Sequence, residues 1–294
     1  MGICDNRVVI ITGAGGGLGA AHAKVFAAEG ASVIVNDINE DAAKKVVEEI
    51  TAAGGKAVVN TSDITNYDDS LNAVKQAIET YGDLHIVLNN AGVNRDRMFA
   101  SMTEAEWDTI MAVHLKGHFC ITSHAVHYWR AKSKEGKAVD ARIINTTSGA
   151  GLQGSVGQSN YAAAKAGIAA LTLNQGVELA RYGITANAVA PAARTNMTTS
   201  VEAMATRMAK PEDGSFDFFA PENVSSLLVW LGSSESAHVT GCVFEAEGGK
   251  ISLADGWRKG PEVDKGDRWA PSEVGGAVKT LLEQAVPAQK VYGS

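Results

Sequence analysis

The sequence predicts an α/β fold: one domain built on a doubly wound, parallel sheet of about seven strands, with helices on both faces. Three observations lead there. Short apolar runs rich in Val and Ile alternate with amphipathic stretches of helical period from Val8 to Val189. Each run ends in glycine or a polar cluster, and the strand-helix alternation calls for parallel strands whose crossovers are helical. The 294 residues, 20% charged and 45% hydrophobic, suffice for one large core.

The elements follow in order. Val8 to Thr12 is a continuous apolar run, as expected of a strand buried on both faces. Ala20 to Glu29 is an Ala-rich helix stopped at Gly30, and Ala31 to Asn36 a second strand. Asp41 to Ala53 is a helix closed by Gly54-Gly55, and Lys56 to Asn60 a third strand. Asp68 to Tyr81 is a helix ending at Gly82, followed by a strand over Leu84 to Leu88. One long helix is expected over Glu104 to Arg130, a fifth strand over Ala141 to Thr146, a helix over Asn160 to Tyr182 and a sixth strand over Thr185 to Val189. Beyond Pro191 the pattern loosens. A helix is expected from about Glu222 to Leu231, a seventh strand over Val239 to Glu245 and a closing helix near Glu273 to Gln284. Residues 1–250 make the domain, with 192–222 as a substrate lid, and 251–294 form an extension packing on the domain or on a subunit interface.

A net charge of −7 gives no basic footprint for nucleic acid, so a small-molecule substrate is expected. Cys4, Cys120 and Cys242 are isolated, the usage of a reducing compartment. No apolar run approaches the ~20 residues of a membrane span and the first residues do not read as a signal peptide, so the expected location is cytoplasmic.

Thr12-Gly13-Ala14-Gly15-Gly16-Gly17-Leu18-Gly19 lies between a strand and a helix. Glycine there lets the backbone turn tightly and approach a pyrophosphate met by the helix N-terminus. Asp37, twenty residues after Gly17, ends the second strand. A carboxylate at that place accepts from the adenosine ribose hydroxyls and repels a 2′-phosphate; with no Arg or Lys in the glycine loop, NAD is favoured over NADP. Asp63-Ile64 after the third strand and Asn90-Ala91-Gly92 after the fourth lie at the same sheet edge, either as loop caps or as ligand contacts.

Tyr161 and Lys165 share a helix face at i,i+4, with Ser148 thirteen residues before the tyrosine. A fixed cation beside a phenol favours phenolate and is expected to draw its pKa toward neutrality, the condition for acid–base chemistry.

Together these pieces resemble the short-chain dehydrogenase/reductase family, in the order Thr12-Gly13-x3-Gly17-x-Gly19, Asn90-Ala91-Gly92, Ser148 and Tyr161-x3-Lys165, over about residues 5 to 250. The resemblance implies a Rossmann-type sheet and a nicotinamide cofactor bordered by Gly13, Gly16, Gly17, Leu18, Gly19, Asp37, Asp63, Ile64, Asn90, Ala91 and Gly92. It implies Tyr161 as acid/base, Ser148 as the donor to the substrate oxygen, and Lys165 on the nicotinamide ribose. Pro191 and Thr195 would meet the nicotinamide, although Pro191-Ala192 departs from the family's usual Pro-Gly. His114 stands where the family usually has a relay asparagine, and is either a proton-relay group or a packed core residue. Homodimers or homotetramers are common in the family.

Asn36-Asp37, Arg95 to Ala100, Trp107-Asp108, Val113-His114-Leu115-Lys116-Gly117 and Gly157-Gln158-x-Asn160-Tyr161 are similar to the dehydrogenase portion of the peroxisomal multifunctional enzyme type 2 subgroup, which acts on 3-hydroxyacyl-CoA and is also described as a 17β-hydroxysteroid dehydrogenase. Either substrate class is therefore expected. Met and Phe residues between 197 and 219 form an apolar lid or an ordinary packed insertion, and Arg95, Arg97, Arg194, Arg207 and Lys210 are the cations available for CoA phosphates. Two rivals stand beside this expectation: an NADPH-dependent 3-oxoacyl thioester reductase, against which Asp37 speaks, and a non-catalytic dinucleotide sensor, which has no need of Ser148, Tyr161 and Lys165 together. His114, His118, His124 and His127 fall at about 0°, 40°, 280° and 220° around a helix and share no face, so no metal site is expected. The absence of Gly-x-Ser-x-Gly around Ser148 sets aside a serine hydrolase.

Overall fold

The computed structural model describes every residue except Met1, Asn196, Met197, Ser200 and Val201, and leaves aside the side chains of residues 202–204. Eight strands form one sheet: β1 (Val8–Thr12), β2 (Ser32–Asn36), β3 (Lys56–Asn60), β4 (Ile86–Asn89), β5 (Ala141–Thr146), β6 (Ile184–Ala192), β7 (Val243–Glu247) and β8 (Lys250–Leu253). Their spatial order is β3-β2-β1-β4-β5-β6-β7-β8. All pairs are parallel except β7–β8, a hairpin adding an antiparallel edge to the seven strands expected.

Alternation along each strand sends side chains to two cores. Val9, Ile11, Val33, Val35 and Leu88 meet α1 (Gly17–Ala28), α2 (Glu40–Ala52) and α9 (Glu222–Gly232) through Phe26, Val46, Ile50 and Leu228. Val8, Ile10, Ile34, Val87 and Ile143 meet α3 (Tyr67–Tyr81) and α5 (Gly117–Lys134) through Val74, Ile121 and Trp129. Burial on both faces explains why these strands read as unbroken apolar runs. The order in which strands are added reverses between β1 and β4, which run parallel, and this opens a crevice at their carboxyl ends.

Several boundaries differ from the sequence expectation. The long central helix is α4 (Glu104–Ile110), a π-turn (Met111–Lys116) and α5, running on without a break. A short helix, α6 (Gly149–Gln153), precedes α7 (Ser159–Leu179). The seventh strand begins at Val243, not Val239: Val239 N donates to Ser236 O and Gly241 turns with φ +70°, so these residues form a turn. Beyond α8 (Glu202–Arg207) and β8, the chain from Ala254 is mostly exposed and includes α10 (Pro271–Gln284), none of whose residues is buried.

Arg142 is a charged residue in a central strand. It is 1% exposed, donates to Ser233 O (3.0 Å), Ser236 Oγ (3.2 Å) and Ala141 O (3.0 Å), and pairs with Asp140, tying β5 to the end of α9. An Arg142→Leu variant leaves these acceptors unpaired. It is expected to unfold at lower urea with a loss of about 2–3 kcal/mol, read from the midpoint at unchanged slope.

Candidate active site

At the crevice the ends of β1 and β4 are stitched together. Asn90 N and Ala91 N donate to Thr12 Oγ1 (2.9 and 3.1 Å), and Asn90 Nδ2 donates to Thr12 O (3.0 Å) and Gly13 O (3.3 Å). Gly13 turns with φ +63°, and a Cβ there would stand 2.7 Å from Ala91 Cα. At Gly19 a Cβ would reach within 2.1 Å of Gly13 O, so two glycines are demanded by close backbone approach. Gly16 caps α1 without a side chain and faces open space, which leaves the first N–H groups of a 12-residue helix free for an anion. Thr195 lies across this opening, its Cγ2 3.6 Å from a Cβ built on Gly17.

Asp37 is fixed at the tip of β2, where its carboxylate accepts from Gly15 N (2.9 Å) and Asn39 N (2.9 Å). Asp63 accepts from Thr65 N and Thr65 Oγ1 (2.8 Å each), so it shapes the turn into α3. Ile64 is buried beside Gly117, Leu18 packs against the core and Pro191 closes β6 opposite Ala246. A bare helix N-terminus, an open glycine turn and a rigid acceptor 22 residues from Gly15 suit a dinucleotide.

The second half of the site stands on α6 and α7. Ser148 caps α6, its Oγ accepting from Ala150 N at 3.2 Å, and it hydrogen-bonds the Tyr161 phenol. Lys165 is 2% exposed. Its Nζ donates to Thr146 O at 2.6 Å and lies 5.6 Å from the centre of the Tyr161 ring. His114, carried inward by the π-turn, meets the same ring edge-on at 5.1 Å. Its Nε2 contacts both Val93 O (2.8 Å) and Val93 N (3.1 Å), donating to the first or accepting from the second according to tautomer. Ser148, Tyr161, Lys165 and His114 thus converge as the sequence suggested.

The electrostatics differ from the expectation that the cation brings the phenol toward neutrality. Burial pushes the Tyr161 pKa up, opposed by the Ser148 hydrogen bond. Burial likewise pulls the Lys165 ammonium down to about 7. Both groups share a dry site, so loss of hydration dominates both acidities, and the amine donates to Thr146 O. The His114 pKa falls to about 3, first through burial and then through the Lys165 charge, so its ring is neutral at physiological pH.

A family model described as short chain dehydrogenase matches residues 7–206. The chain belongs to the short-chain dehydrogenase family. It is accordingly an oxidoreductase using a nicotinamide dinucleotide. Hydroxyacyl-CoA dehydrogenase ChsB1 of Mycobacterium tuberculosis is 42% identical over 97% of this chain and 91% of that protein. Peroxisomal multifunctional enzyme type 2 of Mus musculus is 41% identical over 84% of this chain, which spans 32% of that longer protein. A crystal structure of a short chain dehydrogenase from Mycobacterium avium is 55% identical and covers 100% of both chains with a TM-score of 0.91.

Three of the five expected cations, Arg95, Arg97 and Arg194, make contacts within the chain. Arg97 pairs with Glu106 at 2.8 Å, Arg194 grips Asp217 and donates to Met208 O (2.8 Å), and Arg95 donates to Asn94 O (2.7 Å), whereas Arg207 and Lys210 are exposed. Met197 lies outside the described residues. Met208 is buried, and Phe216, Phe218 and Phe219 form a chain of edge-on rings at 6.4 and 5.0 Å.

Asn160 has a site-supporting role that the sequence did not disclose. Fully buried, it donates to Arg95 O (3.1 Å) and Glu106 O (3.3 Å) and accepts from Tyr161 N (2.8 Å), fastening the loop after β4 to the helix of Tyr161. An asparagine at a helix start reads as a cap, and only the fold reveals its distant acceptors.

Lys165 gives a pH test. Unfolded lysine binds its proton below about pH 10.5, the folded residue only below about 7, so between these values the unfolded chain binds more protons and stability rises with pH. Without added nucleotide, the protein is expected to gain about 2 kcal/mol over a Lys165→Met variant between pH 7 and 9. Urea unfolding at the two pH values measures the difference.

Proposed function

We propose that this dehydrogenase oxidises a secondary alcohol to a ketone with NAD, the substrate being a 3-hydroxyacyl-CoA or a 17β-hydroxysteroid. The observation that carries the reading is the meeting of Ser148, Tyr161 and Lys165 at the sheet edge that also holds the open glycine turn. The name of the Mycobacterium tuberculosis relative, a hydroxyacyl-CoA dehydrogenase, favours the acyl-CoA class.

Bound in the crevice, the nicotinamide ring supplies the acceptor for hydride. Ser148 donates a hydrogen bond to the substrate oxygen. Tyr161 takes the hydroxyl proton as the carbinol carbon gives up hydride, and returns it to the carbonyl oxygen in the reverse direction. Lys165 holds the ribose and shares the proton load of the phenol, its amine aimed by Thr146 O. His114 is a positioning residue in this scheme: neutral and tied to Val93, it props the Tyr161 ring instead of ferrying a proton. Gly13, Gly16, Gly17 and Gly19 seat the pyrophosphate, Asp37 accepts from the ribose hydroxyls, and Thr195 and Pro191 flank the nicotinamide. Asp63 and Asn90 act by shaping the adenosine wall, Ile64, Ala91 and Gly92 by backbone contact.

The carboxylate of Asp37, already oriented by Gly15 N and Asn39 N, supports NAD over NADP. Half-exposed Phe119 on α5 and Leu173 on α7, with the still more exposed Val177, support a homodimer or homotetramer formed through these helices. Among the described residues no helix is long and apolar enough to cross a membrane, and the three cysteines are free, which supports a reducing, cytoplasmic setting.

Turnover of 3-hydroxyacyl-CoA thioesters and 17β-hydroxysteroids with NAD, followed at the nicotinamide absorbance, tests the substrate class; no oxidation of either would overturn it. Tyr161→Phe is expected to lower kcat at least about 10³-fold while NADH binding by fluorescence stays within about threefold. Because burial keeps the phenol protonated, oxidation is expected to accelerate as pH rises above neutrality and ketone reduction to slow. Asp37→Ala is expected to reduce the preference for NAD over NADP at least about tenfold in kcat/KM, and an unchanged ratio would remove Asp37 from the ribose.

A further inference from the structure

The last residues of the chain come back to the catalytic serine. After the exposed stretch holding α10, Val156 N donates to Tyr292 O (2.9 Å) and Tyr292 N donates to Gly154 O (3.2 Å), so residues 291–294 form a strap bridged to Ser155. Val291 packs on Gly154, where a Cβ would stand 3.3 Å from Val291 Cγ1, and Gly293 turns with φ +83° beside Val156. Tyr292 reaches from this strap over Gly149, the residue after Ser148. A Cβ on Gly149 would lie 2.8 Å from the Tyr292 hydroxyl and 3.1 Å from its Cε2. Burial pushes the Tyr292 pKa up, the Glu245 and Glu247 charges on β7 add to that rise, and a hydrogen bond with Gln153 of α6 opposes it. Tyr292 is 48% exposed, its phenol end packed against Gly149.

We propose that Tyr292 is a specificity-determining residue, its ring walling the substrate cleft one residue from Ser148 and limiting the bulk carried beyond the reacting carbon. Two backbone hydrogen bonds hold the residue in place, and its ring lies against Gly149. The strap runs in register with the loop after Ser148, which sets the ring beside the first residue of α6. The inference rests on the dehydrogenase reading above, and its test is arranged to separate the two.

Wild type, Tyr292→Phe and Tyr292→Ala are compared on a series of secondary alcohols of increasing bulk, from short to long 3-hydroxyacyl-CoA thioesters and a 17β-hydroxysteroid, with kcat and KM measured for each. Tyr292→Ala is expected to shift the ratio of kcat/KM for bulky over small alcohols about tenfold toward the bulky ones, mainly through KM. Tyr292→Phe, which keeps the ring, is expected to hold the wild-type ratio within about twofold. NADH affinity, titrated by fluorescence without substrate, should be the same in all three within about twofold. An unchanged bulk ratio in Tyr292→Ala, or an equal loss on every alcohol accompanied by a lowered Tm, overturns the proposal. If the wild type oxidises other secondary alcohols but neither a thioester nor the steroid, the substrate reading fails, while the bulk ratio on those alcohols still decides for or against Tyr292. An enzyme that oxidises no secondary alcohol overturns both.

Discussion

A primary amine buried to 2% exposure is costly, and in this enzyme the cost is met by a single backbone acceptor, Thr146 O, at the carboxyl end of β5. That bond fixes where the amine points and therefore which face of α7 turns toward the sheet. Tyr161, one helical turn before it, is carried into reach of Ser148, and His114 then fills the space on the other side of the ring. The same dryness that holds the amine down near neutrality holds the phenol up. Burial thus moves apart two acidities that lie close together near ~10 in water, leaving the phenol as the proton carrier and the amine poised near neutrality.

The nucleotide half depends on a different constraint, the close approach of backbones. Thr12 and Asn90 join two strands that diverge at the reversal of strand order, and glycines 13 and 19 are the residues that such proximity tolerates. No side chain caps the start of α1, so peptide N–H groups are left there for an anion. Asn90 and Asp63 serve as the mortar of this wall, with hydrogen bonds directed at neighbouring backbone and not outward.

Much of this was legible in the sequence. Strands β1, β3 and β5 match their expected limits: β1 is an apolar run buried on both faces, and β3 and β5 are short runs around Val58-Val59 and Ile143-Ile144 that end in polar residues at the sheet edge. The glycine turn and the Tyr161/Lys165 spacing were readable because local geometry alone dictates them. What escaped depends on contacts distant in the chain. The role of Asn160 needs the loop of Arg95, the packing of Tyr292 needs Gly149, and the eighth strand, exposed along its length, lacks the apolar run that marks its neighbours. The perturbed acidities of Tyr161 and Lys165 were also beyond spacing arguments, since charge proximity was visible in the chain and burial was not.

The wide turn at Met111–Lys116 has a consequence for how this region tolerates change. A π-turn accommodates one residue beyond an α-helical turn, so the helix on either side keeps its phase. Ile110 before it and Cys120, Ile121 and Trp129 after it all stay on the buried side. Shortening the segment by one residue would flatten the protrusion bearing His114 yet leave Trp129 seated in its core. The chain can therefore revise what touches the Tyr161 ring without re-registering the long helix that supports it.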